Sequence, residues 1–175
     1  MNYAKIKKHD IANGTGVRVS LYVSGCTHHC RNCFNPETWD FSCGEPFTEA
    51  VEEEILEALQ PSYIRGLTLL GGEPFEPQNR PALIVLAEKV RRKLPEKTIW
   101  CYTGYDYEKD LLAGRVGEEA SVRALLELLD VLVDGEFVEE QKVLDLRFRG
   151  SRNQRIIDVK KSLTSGHTVL WEDEI

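Results

Sequence analysis

Three cysteines lie close together in the chain and are the residues best suited to do chemistry. Cys26, Cys30 and Cys33 are separated by three and then by two residues. Three thiolates at this spacing can hold three corners of a 4Fe–4S cluster, and the fourth iron then lacks a protein ligand. Such an iron is free to bind another molecule. The spacing therefore predicts a cluster that takes part in chemistry as well as in electron transfer.

The same cysteines allow two other readings. With His28 or His29 they could form a Cys3His zinc site, although zinc ligands usually come from two separated pairs. A disulfide framework is disfavoured, because the chain has 5 cysteines, an odd number, and no secretory signal. Cys43 and Cys101 lie outside the motif, and Cys101 is expected in the core because it falls on a predicted strand. If neither histidine binds zinc, both are expected to be exposed or to pack beside the site.

A second group of chemically useful residues follows a short apolar strand predicted at 66–70. Gly71 and Gly72 remove two side chains where a ligand could approach the backbone closely. Glu73 and the exposed carbonyls beside it can receive an ammonium group. Pro74 stiffens the exit from the turn and cannot donate a backbone hydrogen bond. A glycine pair alone would indicate an ordinary tight turn, and the adjacent carboxylate favours a binding site.

Strands and helices are predicted to alternate along the chain and to position these motifs. The predicted strands cover residues 17–23, 66–70, 98–102 and 131–133, with shorter candidates at 155–159 and 168–171. The predicted helices cover about 49–60, 80–94, 106–112 and 118–129, with Thr48 and Asn79 as N-cap residues of the first two. This repeated order of strand, loop and helix indicates a parallel α/β sheet.

Polar and glycine-rich segments fall at the ends of the predicted strands. They are the loop that carries Cys26, Cys30 and Cys33 (the cysteine loop), Gly71-Gly72-Glu73, Thr103-Gly104 and Asp134-Gly135. In parallel α/β folds the C-terminal ends of the strands carry the site. We therefore expect these segments to meet at one edge of the sheet.

The size and charge of the chain limit its possible functions. Residues 1–175 are expected to form one domain, and a complete eight-stranded barrel needs about 250 residues, so an open, partial barrel is expected. The chain has no apolar run long enough to cross a membrane and no export signal at its start, so a cytoplasmic protein is expected. The net charge of −7 disfavours non-specific binding to nucleic acid.

One local segment is basic. Arg147, Arg149, Arg152 and Arg155 lie close together in the sequence. Such a segment is either a solvated loop or a surface that binds an anionic ligand or an acidic partner. Both interpretations remain open from the sequence.

Two motifs together resemble the radical S-adenosylmethionine superfamily. One is the cysteine motif in the loop after the first predicted strand, and the other is the Gly-Gly-Glu-Pro segment after the second predicted strand. The resemblance implies an open partial (β/α) barrel with mostly parallel strands over residues 1–175. It implies a 4Fe–4S cluster on Cys26, Cys30 and Cys33, whose fourth iron binds S-adenosyl-L-methionine through the amino and carboxylate groups. It implies cofactor contacts at Asn32, Cys33, Phe34, Gly71, Gly72, Glu73 and Asp134. Among these, the Gly-Gly-Glu segment would meet the ammonium group and Asp134 the ribose.

Further segments narrow the resemblance. Residues 13–18 and 33–39 are similar to glycyl-radical-enzyme activators, and residues 131–137 and 149–156 to the subfamily that acts on anaerobic ribonucleoside-triphosphate reductase. The resemblance implies an oxidoreductase that makes a 5′-deoxyadenosyl radical, which removes a hydrogen atom from a backbone glycine of that reductase. Reduced flavodoxin or ferredoxin is implied as electron donor. No general base is required, so no catalytic side chain is predicted.

Two alternatives to this function remain. The chain could activate another glycyl radical enzyme of the pyruvate formate-lyase type, although those activators are usually longer. It could also be a non-catalytic zinc or iron–sulfur module that binds a partner. Neither a nucleic acid nor a membrane is expected among its partners.

Overall fold

A computed structural model describes residues 1–172 of the chain. Seven strands form one sheet: β1 (Asn2–Asp10), β2 (Val17–Val23), β3 (Glu45–Pro46), β4 (Ile64–Gly71), β5 (Thr98–Tyr102), β6 (Val131–Asp134) and β7 (Arg155–Asp158). Their order across the sheet is β3-β1-β2-β4-β5-β6-β7. Within residues 1–172 the edge strands β3 and β7 do not pair with each other, so the sheet is open.

The direction of the strands changes from the centre of the sheet to its edges. β2, β4, β5 and β6 pair in parallel, as the alternation of strands and helices predicts. β1, β3 and β7 join them in antiparallel pairs. β1 was not predicted from the sequence, and the register shifts in its pairing with β2 explain why. Irregularities after Tyr3 and after Lys7 interrupt the alternation of apolar and polar residues that identifies a strand.

Four α-helices accompany the sheet: α1 (Glu49–Leu59), α2 (Arg80–Lys93), α3 (Glu119–Leu128) and α4 (Val159–Ser165). Alternate strand residues, such as Leu21 on β2, Leu69 on β4 and Ile99 on β5, form the core together with apolar residues of these helices. Cys101 belongs to this core and is fully buried, which confirms its predicted place. None of the helices in residues 1–172 has the length and apolar character needed to cross a bilayer.

The opposite face of the sheet is filled in its middle by Arg18 and Trp100, which are 0% and 1% exposed. The Arg18 guanidinium donates to the carbonyls of Leu67 and Thr98 at 2.8 and 2.9 Å and lies 5.5 Å from the centre of the Trp100 ring. Burial lowers the pKa of Arg18 to about 10, so this side chain remains charged at neutral pH. Arg18 and Trp100 therefore form a buried plug on this face of the sheet, beneath the strand ends.

Several predicted elements differ from the structure at the end of the chain. The predicted strand at 155–159 ends at Asp158, which accepts a hydrogen bond from the backbone of Lys161 and so begins α4. This helix has seven residues, too few to display a helical apolar pattern. The strand predicted at 168–171 is wrong, because the segment makes only an isolated bridge between Leu170 and Ile157.

Two smaller differences concern helix geometry. The predicted helix at 106–112 is a π-helical turn over Tyr107–Leu111. Thr48 caps α1 as predicted, accepting a hydrogen bond from Val51. Asn79 precedes α2 but makes no capping hydrogen bond. Its side-chain amide instead donates to the carbonyls of Ser24 and Glu73, both at 3.0 Å, and so ties the end of β2 to the end of β4.

Candidate functional site

The C-terminal ends of the parallel strands enclose a cavity of about 400 Å³. Its walls include Cys26, Cys30, Cys33, Gly71, Gly72 and Glu73. The two motifs that are about 40 residues apart in the sequence thus share one pocket, as expected for segments that follow neighbouring parallel strands. Gly104 and Gly135, which follow β5 and β6, line it as well.

The cysteine loop begins where β2 ends and is held by backbone hydrogen bonds. Gly25 has a φ of 98°, a left-handed conformation that suits glycine, and its N–H donates to the carbonyl of Thr38 at 2.7 Å. The N–H of Cys26 donates to the carbonyl of Trp39 at 3.2 Å. All three motif cysteines are free thiols and partly exposed. Burial raises the pKa of Cys26 to about 12 and also raises the pKa of Cys30, so metal binding would have to displace their protons.

The donor set around the pocket fits an iron–sulfur cluster held by three thiolates. Cys43 and Cys101 are absent from the pocket walls, as far as residues 1–172 are concerned. His28 lines the pocket, but its Nε2 and Nδ1 face the carboxylates of Glu73 and Glu136 at 3.0 and 2.8 Å. Because both ring nitrogens already have partners, this histidine is poorly placed to complete a Cys3His zinc site.

The glycine pair brings the ends of β2 and β4 into close contact. A Cβ atom at Gly72 would lie 2.6 Å from the Gly25 oxygen and 3.0 Å from the oxygens of both Thr38 and Val23. The N–H groups of Gly72 and Glu73 donate to the carbonyls of Val23 and Gly25, each at 2.8 Å. The missing side chain at Gly72 therefore makes room for the backbone that carries the cysteines, and a ligand contact at Gly72, which also lines the pocket, remains a prediction.

The carboxylate of Glu73 is buried and fully hydrogen-bonded within the protein. One oxygen accepts from the N–H of Phe75 and the hydroxyl of Thr103, both at 2.8 Å. The other accepts from the N–H of Gly104 at 2.8 Å and faces His28 at 3.0 Å. Glu73 thereby joins the end of β5 to the cysteine loop, and its contact with an ammonium group remains a prediction.

His28 is held between two carboxylates and against the end of β5. Burial disfavours its charged form, but the hydrogen bonds and charges of Glu73 and Glu136 outweigh this and raise the pKa of His28 to about 9. Its ring lies 4.4 Å from the ring of Tyr105. The sequence assigned His28 no role, because its two partners are 45 and 108 residues away in the chain.

The remaining predicted cofactor contacts lie in different places. Phe34 lines the pocket and packs 4.9 Å from the Phe137 ring. Asn32 is exposed and has a φ of 57°. Asp134 is buried, accepts from the N–H of Tyr107 at 2.9 Å and pairs with Arg155, and it is absent from the walls formed by described residues around the cysteine pocket. Its carboxylate is thus engaged away from the cysteines, and a ribose contact remains a prediction.

Sequence reasoning also missed Glu76. Its buried carboxylate accepts from the N–H and the hydroxyl of Thr27 at 2.9 and 2.6 Å, so it holds the residue after the first cysteine. The only available signal was its position three residues after Glu73 in a segment already singled out.

The pair between Arg155 and Asp134 leads to a stability prediction. The Arg155 guanidinium also binds Glu108 and lowers the pKa of that carboxyl to about 2. We expect Arg155→Met to lower the free energy of unfolding by about 2 kcal/mol, because it leaves the buried Asp134 charge unpaired. Urea unfolding measures this. Arg123→Met, which removes an exposed pair with Glu127, is the control and should change stability by less than about 0.5 kcal/mol. Equal losses of stability in the two variants would contradict a stabilising role for the pair between Arg155 and Asp134.

A family model and several similar proteins indicate the same family for this chain. Residues 12–157 match the family model described as a 4Fe-4S single cluster domain, which supports an iron–sulfur cluster. The chain is 40% identical over 158 residues to the anaerobic ribonucleoside-triphosphate reductase-activating protein of Haemophilus influenzae, covering 89% of this chain and 97% of the relative. Relatives of the same name from Escherichia coli K12 and bacteriophage T4 are each 40% identical over 156 residues, covering 88% and 89% of this chain and 96% and 93% of the relatives.

Proposed function

Because this chain belongs to the family of anaerobic ribonucleoside-triphosphate reductase-activating proteins, we propose that it activates such a reductase by radical chemistry. In this proposal Cys26, Cys30 and Cys33 bind a 4Fe–4S cluster, and S-adenosylmethionine binds beside it in the pocket at the strand ends. One observation carries the proposal: three free thiols and the Gly-Gly-Glu segment share a single pocket and are joined directly through their backbones.

The residues of the pocket have distinct parts in the proposed reaction. When bound and reduced by one electron through the cluster, S-adenosylmethionine would supply a 5′-deoxyadenosyl radical, with methionine as the leaving group. This radical would take a hydrogen atom from a backbone glycine of the reductase, giving 5′-deoxyadenosine and a glycyl radical. The Gly71–Glu73 segment would face the ammonium group through backbone carbonyls, since the Glu73 carboxylate already has four partners. Phe34 and Asn32 would lie beside the adenosyl group and Asp134 near the ribose. Reduced flavodoxin or ferredoxin would supply the electron.

We propose that residues 1–175 act as one domain with a partial barrel of the radical S-adenosylmethionine type, and the open sheet supports this proposal. Helices pack on one face of the parallel strands, and the pocket lies at their C-terminal ends. An open side also suits a protein substrate, because the partner itself can cover the pocket and exclude water from the radical.

A direct test is anaerobic incubation with the candidate reductase, S-adenosylmethionine and a reductant. We expect a glycyl radical in the EPR spectrum of the reductase, and none when any one component is omitted. Pyruvate formate-lyase serves as the alternative protein partner. A radical on that enzyme alone would redirect the proposal to the other class of activator. Efficient conversion of a small free metabolite, with no protein radical, would refute it.

The basic segment offers a further test of the partner. Arg149 donates to the carbonyl of Gln154 at 2.6 Å, and Arg155 pairs with Asp134, so both have internal roles. Arg152 is exposed. We expect Arg152→Glu to weaken binding to the reductase about tenfold at low salt and less at high salt, as for a charge at the rim of an interface.

The binding constants of the two proteins, measured at two salt concentrations, would check this. Arg92→Glu, a reversal of an exposed charge in the last turn of α2, is the matched control. Equal affinities of the two variants would argue against a docking role for Arg152.

A further inference from the structure

His28 connects the cysteine loop to two of the strand ends that form the pocket. Its Nε2 lies 3.0 Å from Glu73, which follows β4, and its Nδ1 lies 2.8 Å from Glu136, which follows β6. The side chain is only 10% exposed. A single ring thus links three separate segments of the site.

The end of β5 is shaped to accept the same ring. A Cβ atom at Gly104 would lie 2.7 Å from His28 Nε2, so only a glycine leaves room for the imidazole there. Tyr105 covers the ring at a centroid distance of 4.4 Å. The N–H of Gly104 binds the same Glu73 oxygen that faces His28. The ends of β4, β5 and β6 therefore all contact this histidine or its partners.

The other hydrogen bonds of the cysteine loop either lie before its first cysteine or do not involve Glu73. The backbone hydrogen bonds from Gly72 to Val23 and from Glu73 to Gly25 lie before Cys26. Thr27 is bound by Glu76. Among the described side chains of the loop, His28 is the one bound to Glu73, the residue that ends the Gly-Gly-Glu segment.

We propose that His28 is a positioning residue that fixes the distance between the cysteine loop and the Gly71–Glu73 segment. This inference rests on the proposed function, in which these two parts of the chain hold one small molecule between them. A molecule held at two places is sensitive to the distance between them, and a misplacement of about 1 Å can lower a reaction rate by a factor of about 100. Loss of the link should therefore weaken cofactor binding while the three thiols still bind the cluster.

The test compares His28→Asn with His29→Asn in the reconstituted full-length protein. An asparagine at 28 is too short to reach both carboxylates. His29 is exposed, stacks on Trp39 and has a φ of 53°, which asparagine tolerates, so it is a matched control within the same motif. The readouts are iron content, melting temperature, and the affinity for S-adenosylmethionine from its effect on the EPR spectrum of the reduced cluster.

We expect His28→Asn to retain the iron of the wild type and to bind S-adenosylmethionine at least about tenfold more weakly. His29→Asn should behave as the wild type in all three measurements. If the cluster-loaded His28→Asn variant binds the cofactor as tightly as His29→Asn, the inference is overturned. If the wild type itself binds no S-adenosylmethionine, the proposed function fails, and the inference fails with it.

Variants of Glu136 keep the test decisive if His28→Asn does not load iron. Glu136→Gln retains an acceptor for His28 and should keep the affinity for S-adenosylmethionine within about threefold of the wild type, whereas Glu136→Ala should lower it further. Affinities of Glu136→Ala and Glu136→Gln that do not differ would overturn the proposal.

Discussion

Alanine at Cys26, Cys30 or Cys33 is expected to abolish cluster assembly, whereas alanine at Cys43 or Cys101 should leave it intact. The first three thiols line the pocket at the strand ends and can each supply one corner of a 4Fe–4S cluster. Loss of one corner leaves two iron atoms without a protein ligand, so activity should fall to background. Iron and sulfide content after anaerobic reconstitution, with the visible absorption spectrum, measures the effect.

The two remaining cysteines provide controls with the same change of side chain. The carbonyl of Cys43 accepts a hydrogen bond from Ser24 at 2.8 Å, an interaction that alanine preserves. Cys101 is buried in the core, where alanine should cost about 1 kcal/mol of stability without affecting the iron content. If Cys43→Ala lost iron as completely as Cys30→Ala, the assignment of the ligands would be wrong.

Gly72→Ala is expected to cost about 3 kcal/mol of stability and to lower the iron content as well. The added methyl group would meet the carbonyl oxygens of Gly25, Thr38 and Val23 at 2.6 to 3.0 Å, and backbone atoms cannot move aside as a flexible side chain can. Displacing Gly25 also displaces Cys26, its neighbour. The expected result is thus a joint loss of fold and cluster, rather than a selective loss of cofactor binding. Chemical unfolding and iron analysis of the same samples would show it.

Gly166→Ala is the matched control for this substitution. Gly166 ends α4 with a φ of 74°, and an added Cβ atom would have no neighbour within 4 Å. Its replacement should therefore cost only the backbone strain of about 1 kcal/mol and leave the iron content unchanged. A Gly72→Ala variant as stable as Gly166→Ala would mean that the two strand ends are less closely packed than described.

Much of the site could be predicted because it depends on local patterns and one topological rule. The central strands end at glycine or polar residues, and the parallel order brings those ends together, so the cysteines and the Gly-Gly-Glu segment meet in one pocket. The reason why residue 72 is a glycine could not be predicted from the sequence. Whether a missing side chain makes room for a ligand or for another backbone depends on the register between β2 and β4, which composition does not reveal.

The interactions that hold the site were missed because they join distant parts of the chain. Asn79 looked like a helix cap from its position alone, yet it bridges Ser24, 55 residues earlier, and Glu73. His28 and Glu76 act through similar long-range contacts. A polar residue next to a motif signals that it could serve the site, but its partner is known only once the strands are placed side by side.

The plug of Arg18 and Trp100 has a consequence for the order of events during turnover. It separates the cysteine pocket from a second cavity at the opposite edge of the strands, which Thr98, Trp100 and Thr15 line. With this face of the sheet filled by buried side chains, the cysteine pocket opens at the strand ends, which is the side that we expect a large partner to cover. Under the proposed function, a cofactor must be loaded before the partner docks, and spent products must wait for its departure. Dissociation of the two proteins would then limit the rate of repeated activation, even if the chemical step is fast.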